Sequence, residues 1–260
     1  MQVDCTAVRA GVANAASRTV PEEVPVALVY DATTHAVLMA TPADLADLGR
    51  GFSLTEGIVD DLAQIEALEV VAQSNGIEVR MWLRADAGRV HLERRRSVVG
   101  RTGCGLCGVE SLAQALPPLV PVRSSARWSL ADFTDAVAGL RGNQPLGAAT
   151  RAVHAAGLWH GGALVMLRED VGRHNALDKL AGAVDASMLD GAIVVLTSRV
   201  SVEMVQKTAR MGVAAIAAIS APTALAIRVA EAAGITLAAV VRDDGFEVFC
   251  GADRLVAAAP

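Results

Sequence analysis

The amino-acid sequence predicts an α/β protein with a doubly wound C-terminal sheet and a smaller N-terminal α+β region. In the second half of the chain, short apolar runs such as GAIVVLTS and VAAIAAIS alternate with helical patterns such as VSVEMVQKTARMG. That alternation is typical of strands joined through crossover helices. In the first half, runs such as EALEVVAQ and GIEVRMWL are separated by turn signals such as Asn75-Gly76, which favour a small antiparallel sheet.

The composition excludes several classes of function. Of the 260 residues, 53% are hydrophobic and 20% charged, which predicts a well-buried core. A net charge of -5 and 3% aromatic residues disfavour a nucleic-acid binder. The first 20 residues lack the pattern of a secretory signal, and the longest uncharged stretch, 211–227, is interrupted by Pro222. We therefore expect a soluble cytoplasmic protein that does not bind a membrane.

The N-terminal elements follow from local patterns. Residues 1–20 are polar and rich in alanine, and we expect a flexible tail. The runs VPVALVY and AVLMA flank residues 31–35 and predict a hairpin, after which Thr41 and Pro42 predict the N-cap and first residue of a helix. The segments EALEVVAQ, GIEVRMWL and GRVHLERR complete the small sheet. A proline cluster then separates a region spanning 21–118 from a domain spanning 119–260.

The C-terminal elements alternate between helix and strand. A helical pattern over Leu130–Leu140 is followed by the strand GALVMLRED and the helix NALDKLAGAVDA. The strand GAIVVLTS, the helix VSVEMVQKTARMG, the strand VAAIAAIS, the helix TALAIRVAEAAG and the strand ITLAAVV come next. Gly212 and Gly234 end the last two helices, as left-handed C-caps require.

Three strand-to-helix junctions carry polar residues, and ligands of such sheets bind at these points. They span residues 169–175, 197–201 and 220–223. Each offers backbone N–H groups at the start of a helix, and Arg173 and Arg199 add positive charge to two of them, which favours phosphate. His174 is the histidine best placed for function. The alternative is that the polar residues are ordinary helix caps, namely Asp170, Asn175, Ser201 and Thr223.

Cys104 and Cys107 form a C-x-x-C with glycine on both sides and between the sulfurs. Arginines at 94–96 and 101 supply a positive potential that favours the thiolate, so the loop is expected to carry reactive sulfur. A structural zinc site, a thioredoxin-type redox pair and two buried thiols are the alternatives. No second C-x-x-C completes a set of four ligands in the sequence, so no zinc is expected. A nucleobase deaminase is excluded, because its H-x-E would precede the C-x-x-C, whereas here His154 follows it and Ala156 replaces the glutamate.

Five strings make the chain resemble the formate dehydrogenase accessory sulfurtransferase family, called FdhD. They occupy Thr41–Val59, Gly103–Gly108, Arg168–Gly182, Ser198–Lys207 and Ile219–Leu237. The strings EDVGRHNALDK and SAPTALA are long and specific, and together the matches span nearly the whole chain.

The resemblance implies a sulfur carrier with a C-terminal domain like that of cytidine deaminases without the zinc. Such a carrier accepts sulfane sulfur from a cysteine desulfurase as a persulfide and transfers it to the molybdenum bis(molybdopterin guanine dinucleotide) cofactor, which activates formate dehydrogenase. It also implies a cytoplasmic homodimer. By resemblance, Cys104 bears the persulfide and Cys107 is its neighbour. The resemblance places the guanine dinucleotide contact at Val240, Val241, Arg242, Asp243, Asp244 and Gly245. Strand ends and helix starts suit pyrophosphate, so Arg173, His174 and Arg199 are expected to join that contact.

The sequence departs from the family pattern at two places. Arg151-Ala152 stands where the family usually has Gly-Gly, and Asp243-Asp244 adds two acids near the expected phosphates. Two other functions stay open. A chaperone that only binds and delivers the cofactor would depend on the arginine junctions, whereas a dithiol redox protein would depend only on Cys104 and Cys107.

Overall fold

The computed structural model describes residues 1–85, 88 and 119–256. The GRVHLERR segment after its first residue, Gly88, lies outside the described residues, as do the C-x-x-C with Cys104 and Cys107 and the nearby arginines. The expected chemistry of that loop is therefore a prediction from sequence alone.

Residues 1–20 form an antiparallel hairpin, so the prediction of a loose tail is wrong. Its strands are β1 (Gln2–Arg9) and β2 (Val12–Thr19), paired from Gln2↔Thr19 to Arg9↔Val12. Ala10 and Gly11 both have positive φ, as a tight two-residue hairpin turn requires. Nearly all its side chains are exposed, so backbone pairing forms this hairpin without the alternating apolar pattern that would have predicted it.

The N-terminal unit is a four-stranded sheet covered by one helix. It comprises β3 (Val24–Tyr30), β4 (Thr33–Ala40), α1 (Leu45–Thr55), β5 (Ile65–Gln73) and β6 (Gly76–Leu83), in the order β4-β3-β6-β5. The β3–β4 hairpin confirms the prediction, as do strands β5 and β6. The sheet is mixed rather than antiparallel, because β3 and β6 run parallel. The helix begins at Leu45 rather than at Pro42, since the backbone N–H and carbonyl of Thr41 are instead bonded to the C-terminal domain.

The C-terminal domain is a six-stranded sheet with helices on both faces. Its elements are β7 (Trp128–Ser129), α2 (Leu130–Gly142), α3 (Pro145–Thr150), β8 (His154–His160), β9 (Ala163–Asp170), α4 (Arg173–Ala183), β10 (Ile193–Leu196), α5 (Val202–Met211), β11 (Ala215–Ala218), α6 (Ala224–Ala232), β12 (Thr236–Arg242), β13 (Gly245–Cys250) and β14 (Leu255–Val256). Strands β7 and β14 pair with each other apart from the main sheet. Short 3-10 turns occupy 62–64, 186–188 and 252–254.

The topology of the main sheet corrects the predicted winding. The strand order is β13-β12-β11-β10-β8-β9, and only β10, β11 and β12 are parallel neighbours. Helices α4, α5 and α6 pack on one face of the sheet, and α2 packs on the other. The crossovers from β10 through α5 to β11 and through α6 to β12 advance in one direction. The sheet is therefore not doubly wound: its other side is extended by the β8–β9 hairpin, closed at Gly161 and Gly162 with positive φ.

Helix α1 of the N-terminal unit lies against α4 and also reaches α5. Within the described part of the chain, none of the helices is both long and apolar enough to cross a membrane.

Candidate functional site

The three predicted junctions and the segment 240–245 lie along one edge of the main sheet. Strand β8 is antiparallel to both β9 and β10, so β9 runs in the same direction as β10, β11 and β12. All four strands end at this edge, here called the carboxyl edge, and β8 begins there with His154. The order along the edge is β12, β11, β10, β8 and β9, so its two ends are roughly 19 Å apart at the usual strand spacing.

One end of the carboxyl edge is the turn that carries Arg173 and His174. Gly172 is the N-cap of α4, and these two residues form the first turn of that helix. Arg173 Nε and His174 Nε2 are buried without a hydrogen-bond partner among the described residues. Burial, together with the positive charges of Lys207 and Arg173, lowers the pKa of His174 to about 4. At neutral pH this turn therefore presents a guanidinium cation beside a neutral imidazole.

Two further ionisable groups stand near that turn. Burial and the charge of Arg173 lower the pKa of His154 at the start of β8. Burial opposes ionisation of Glu203 in α5, but interactions with Ser201, a backbone N–H, His174 and Arg173 outweigh it, so the pKa of Glu203 is lowered. The positive charge of Arg173 thus acts on three neighbouring groups.

The middle of the edge carries Arg199, between the ends of β10 and β11. Its side chain is exposed and makes no hydrogen bond or ion pair with any residue that the structure describes. Ser201 is the N-cap of α5 but makes no side-chain capping hydrogen bond. The first N–H groups of α5 are therefore not capped by this hydroxyl. Arg199, which has no partner among the described residues, stands two residues before the N-cap, an arrangement that favours an anion.

The far end of the edge is a bulge in β12. The pairing between β12 and β13 shifts register between Ala239 and Arg242, and Val240 within the bulge has a φ of 55°. A β-branched residue rarely adopts this left-handed conformation, so Val240 holds backbone strain. Val241 is buried, and Gly245 pairs with Arg242 across the turn.

The charged residues at this end are partly engaged by the protein itself. Arg242 Nη1 donates to the carbonyl of Ile219 at 2.6 Å and to that of Val241 at 2.8 Å. Asp243 pairs with Arg141 of α2 at 2.8 Å, and Asp244 is exposed. Because Asp243 already faces a cation, its repulsion of a phosphate at this edge is reduced.

The helix-cap alternative is confirmed for Thr223, and Ser201 also stands at an N-cap position but makes no side-chain capping hydrogen bond. Thr223 caps α6 by accepting a hydrogen bond from the N–H of Ala226. Asn175 lies inside α4, and Asp170 precedes it in a buried hydrogen-bond network that joins the two units. Asp170 and Asn175 therefore support the site rather than cap a helix or face a ligand.

Sequence reasoning missed the buried charges beneath the site. Lys207 Nζ bonds Asp178 Oδ1 at 2.8 Å, Glu56 Oε1 at 2.8 Å and Thr55 Oγ1 at 3.0 Å. These partners keep the pKa of Lys207 above its usual range despite burial. The signal in the sequence was a lysine on the same face of α5 as Met204, Val205 and Met211. The partners of Lys207 are 29 to 152 residues away in the chain, so no local pattern predicts them.

Of the two cysteines that the structure describes, Cys250 does not suit sulfur chemistry. Cys5 is exposed on β1, and Cys250 Sγ contacts the carbonyl of Ile235. Burial raises the pKa of the Cys250 thiol, which makes it a poor nucleophile. Across 1–85 and 119–256, no group of three or more His, Cys, Asp or Glu side chains could hold a metal ion.

A comparison with family models decides the family. The model described as the FdhD/NarQ family matches residues 21–256 of this chain. The chain belongs to the FdhD/NarQ family. The match begins just after the N-terminal hairpin and covers both the N-terminal unit and the C-terminal domain, so the family is defined by the two units together.

Members of the FdhD/NarQ family are similar to this chain over nearly its whole length. A sulfur carrier protein FdhD from Agrobacterium fabrum is 52% identical, over 96% of this chain and 94% of its own. One from Cupriavidus necator is 50% identical, over 91% of this chain and 83% of its own. A crystal structure described as that of a formate dehydrogenase accessory protein from Desulfotalea psychrophila superposes with a TM-score of 0.76 at 24% identity, covering 98% of this chain and 99% of that one. That similarity shows the same overall fold. Whether the C-terminal domain is like that of cytidine deaminases stays a prediction.

Proposed function

We propose that this protein is a sulfur carrier in the maturation of formate dehydrogenase. Cys104 accepts sulfane sulfur from a cysteine desulfurase and holds it as a persulfide, with Cys107 beside it. The sulfur then passes to the molybdenum bis(molybdopterin guanine dinucleotide) cofactor, the substrate of the transfer, which activates the dehydrogenase. The observation that carries the proposal is the 52% identity, over 96% of the chain, with a protein named as a sulfur carrier.

The loading step needs no external oxidant or reductant. The Cys104 thiolate attacks the terminal sulfur of the donor's persulfide, one S–S bond forms as another breaks, and the donor leaves as a thiolate. The glycines around Cys104 and the arginines at 94–96 and 101 support this assignment, because a thiolate nucleophile needs access and positive potential.

In the delivery step the terminal sulfur leaves as a neutral atom. The electron pair of the S–S bond stays with Cys104, which becomes a thiolate again. The acceptor metal supplies two electrons for its new bond to sulfur and is thereby oxidised by two electrons. The transferred sulfur atom is the oxidant, so no other oxidant or reductant is needed.

The carboxyl edge is proposed as the surface that binds the guanine dinucleotide part of the cofactor. Arg173 and Arg199 suit its phosphates, because each stands at the start of a helix and has no side-chain partner for its guanidinium among the described residues. His174 and the segment 240–245 complete the proposed contact. Arg242 is already bonded to Ile219, so we expect it to shape the bulge more than to bind phosphate.

Intact-protein mass spectrometry tests the sulfur carrier. After incubation with a cysteine desulfurase and cysteine, the wild-type protein is expected to gain the mass of one sulfur, which dithiothreitol removes. Cys104→Ala is expected not to gain it, and Cys250→Ala, which removes a half-buried thiol, is the matched control. Loading of Cys104→Ala at the wild-type level, or no loading of the wild type, would contradict the proposal.

Calorimetric titration with guanosine diphosphate tests the edge. Arg199→Gln and Arg173→Gln are each expected to weaken binding about tenfold, the effect of one lost charge-assisted contact to phosphate. Arg228→Gln, on the exposed surface of α6, is the charge-matched control. Equal affinity in all three variants would show that the nucleotide binds elsewhere.

The other functions predict different outcomes in the same two experiments. A chaperone that only delivers the cofactor binds guanosine diphosphate but never loads sulfur. A dithiol redox protein forms a Cys104–Cys107 disulfide and does not need the edge. The proposed setting is a cytoplasmic homodimer that contacts a cysteine desulfurase and formate dehydrogenase.

A further inference from the structure

Asp170, the last residue of β9, is a fully buried carboxylate with four donors. Its Oδ1 accepts from the N–H of Gly172 at 2.8 Å and from Asn175 Nδ2 at 2.9 Å. Its Oδ2 accepts from Lys179 Nζ at 2.6 Å and from the N–H of Thr41 at 3.0 Å. Both Asp170 and Lys179 have side chains with 0% exposure, so the charge is satisfied entirely within the protein.

The two oxygens of Asp170 hold different parts of the molecule. Oδ1 binds the turn that leads into α4, whereas Oδ2 binds the segment before α1 in the N-terminal unit. Two other bonds strengthen the second connection: the N–H of Val171 donates to Thr41 Oγ1 at 3.2 Å, and Lys179 Nζ donates to the carbonyl of Thr41 at 2.9 Å. Asp170 thus anchors the turn to Thr41.

The turn that Asp170 anchors is the one that presents Arg173 and His174. Gly172, whose N–H is held by Asp170, directly precedes them. Arg173 Nε and His174 Nε2 have no hydrogen-bond partner within the described structure, so the direction of these side chains depends on the backbone of the turn. A site that depends on backbone direction needs that backbone fixed before the ligand arrives.

We infer that Asp170 is the positioning residue of the Arg173–His174 turn, and that it fixes the turn by anchoring it to Thr41 of the N-terminal unit. The inference rests on the proposed function in one respect, that this turn binds the phosphates of the cofactor. It also makes the site composite, since the N-terminal unit shapes a turn that the C-terminal domain provides.

A single substitution of Asp170 would confuse positioning with ion-pair loss, because Lys179 would be left charged and buried. Two double variants avoid this. Asp170→Asn with Lys179→Met keeps an oxygen for Gly172 and Asn175, whereas Asp170→Ala with Lys179→Met removes it. Both variants lose the lysine and the acceptor for the N–H of Thr41, so their difference reports only the hold of the Oδ1 position on Gly172 and Asn175.

Two readouts separate positioning from stability. NMR titration of His174 follows the turn directly, since burial and the charges of Lys207, Arg173, Glu203 and Glu56 set the pKa of this imidazole. Calorimetry with guanosine diphosphate follows the proposed site. In the alanine double variant we expect the pKa of His174 to rise from about 4 toward 6.5 and nucleotide affinity to fall about tenfold. The asparagine double variant is expected to stay within about threefold of wild-type affinity and to keep the low pKa.

Equal behaviour of the two double variants in both readouts would overturn the inference. Thr41→Val keeps every charge and removes only the hydroxyl that Val171 donates to, so it decides the question if the alanine variant does not fold. In Thr41→Val we expect the same direction of change, about threefold in affinity, and wild-type values would overturn the anchoring to Thr41. If the wild-type protein does not bind guanosine diphosphate, the proposed site fails, but the titration of His174 still decides the positioning role.

Discussion

Gly51 in α1 and Gly182 in α4 face each other where the N-terminal unit meets the C-terminal domain, and neither has room for a Cβ atom. A Cβ on Gly51 would stand 2.6 Å from the backbone nitrogen of Gly182, and one on Gly182 would stand 2.7 Å from that of Gly51. Each would also strike a backbone carbonyl, that of Asp178 or of Asp47. The two helices therefore touch main chain to main chain, a close approach that only glycine permits. This crossing lets Thr55 Oγ1 donate to Asp178 Oδ1 at 2.6 Å. It therefore allows the buried network of Lys207 beneath the site.

We expect Gly51→Ala to destabilise the protein by about 3 kcal/mol or more, because the added methyl group must push two helix backbones apart. Urea unfolding monitored by circular dichroism measures the free energy of unfolding. Gly142→Ala is the matched control, since a Cβ at this exposed end of α2 would meet nothing within 4 Å. It is expected to stabilise the protein slightly. A Gly51→Ala protein as stable as the wild type would show that the helices separate freely.

Lys207→Met is expected to cost about 3–5 kcal/mol of folding free energy, because it leaves the buried Asp178 without its cation. Adding Asp178→Leu should recover much of that loss, since the pair is then replaced by apolar groups. Arg228→Met, an exposed cation on α6, controls for the loss of a positive charge. Urea unfolding of the four proteins tests this. If the single and double variants lost the same free energy of unfolding, the unpaired charge of Asp178 would not be the cause of the loss.

The stability of the protein should fall as the pH is lowered through the range in which only the unfolded chain protonates His174. The pKa of this side chain is about 4 in the folded protein, against 6.5 as its ordinary value. Between these values the unfolded state binds more protons, so the contribution of neutral His174 is complete above 6.5 and disappears as the pH reaches about 4. The difference corresponds to about 3 kcal/mol.

His174→Gln should remove that part of the pH dependence. Urea unfolding of wild type and variant from about pH 7 to about pH 4.5 gives the difference between their slopes. His160→Gln, at the other end of β8, controls for the loss of an imidazole. Parallel curves for the wild type and His174→Gln would contradict the burial of this imidazole as the cause.

Arg151→Gly is expected to stabilise the protein by about 0.5–1 kcal/mol. Arg151 follows α3 with a φ of 55° and an exposed side chain, and a residue with a Cβ is disfavoured in that conformation whereas glycine is not. The family resemblance places a glycine there. Arg228→Gly, within α6, should instead destabilise by about 1 kcal/mol. Urea unfolding compares the two, and a loss of stability in Arg151→Gly would show that the side chain contributes more than the strain costs.

Much of the secondary structure was predictable, for reasons visible in particular elements. The helices α5 and α6 and the strands β10, β11 and β12 formed where predicted, because fully apolar runs alternate with helical periodicity and Gly212 ends α5 in the left-handed conformation. The N-terminal hairpin was not predicted, because its strands are exposed. The start of α1 was predicted wrongly, because the N–H of Thr41 donates to Asp170, 129 residues away. This contact overrides the local N-cap signal.

The sequence by itself determined the family, the order of most strands and helices, and the presence of arginines at the junctions of the C-terminal domain, since each depends on residues that are close in the chain. The tertiary structure alone decided that the sheet winds in one direction, that the junctions share one edge, and which charges are buried. Asp170 meets Thr41, and Lys207 meets Glu56 and Asp178, only because α1 packs against α4. The protonation of His174 depends on the same packing, because burial and the charge of Lys207, 33 positions further along the chain, lower its pKa. Such effects depend on distance in space and on the exclusion of water, neither of which a linear pattern encodes.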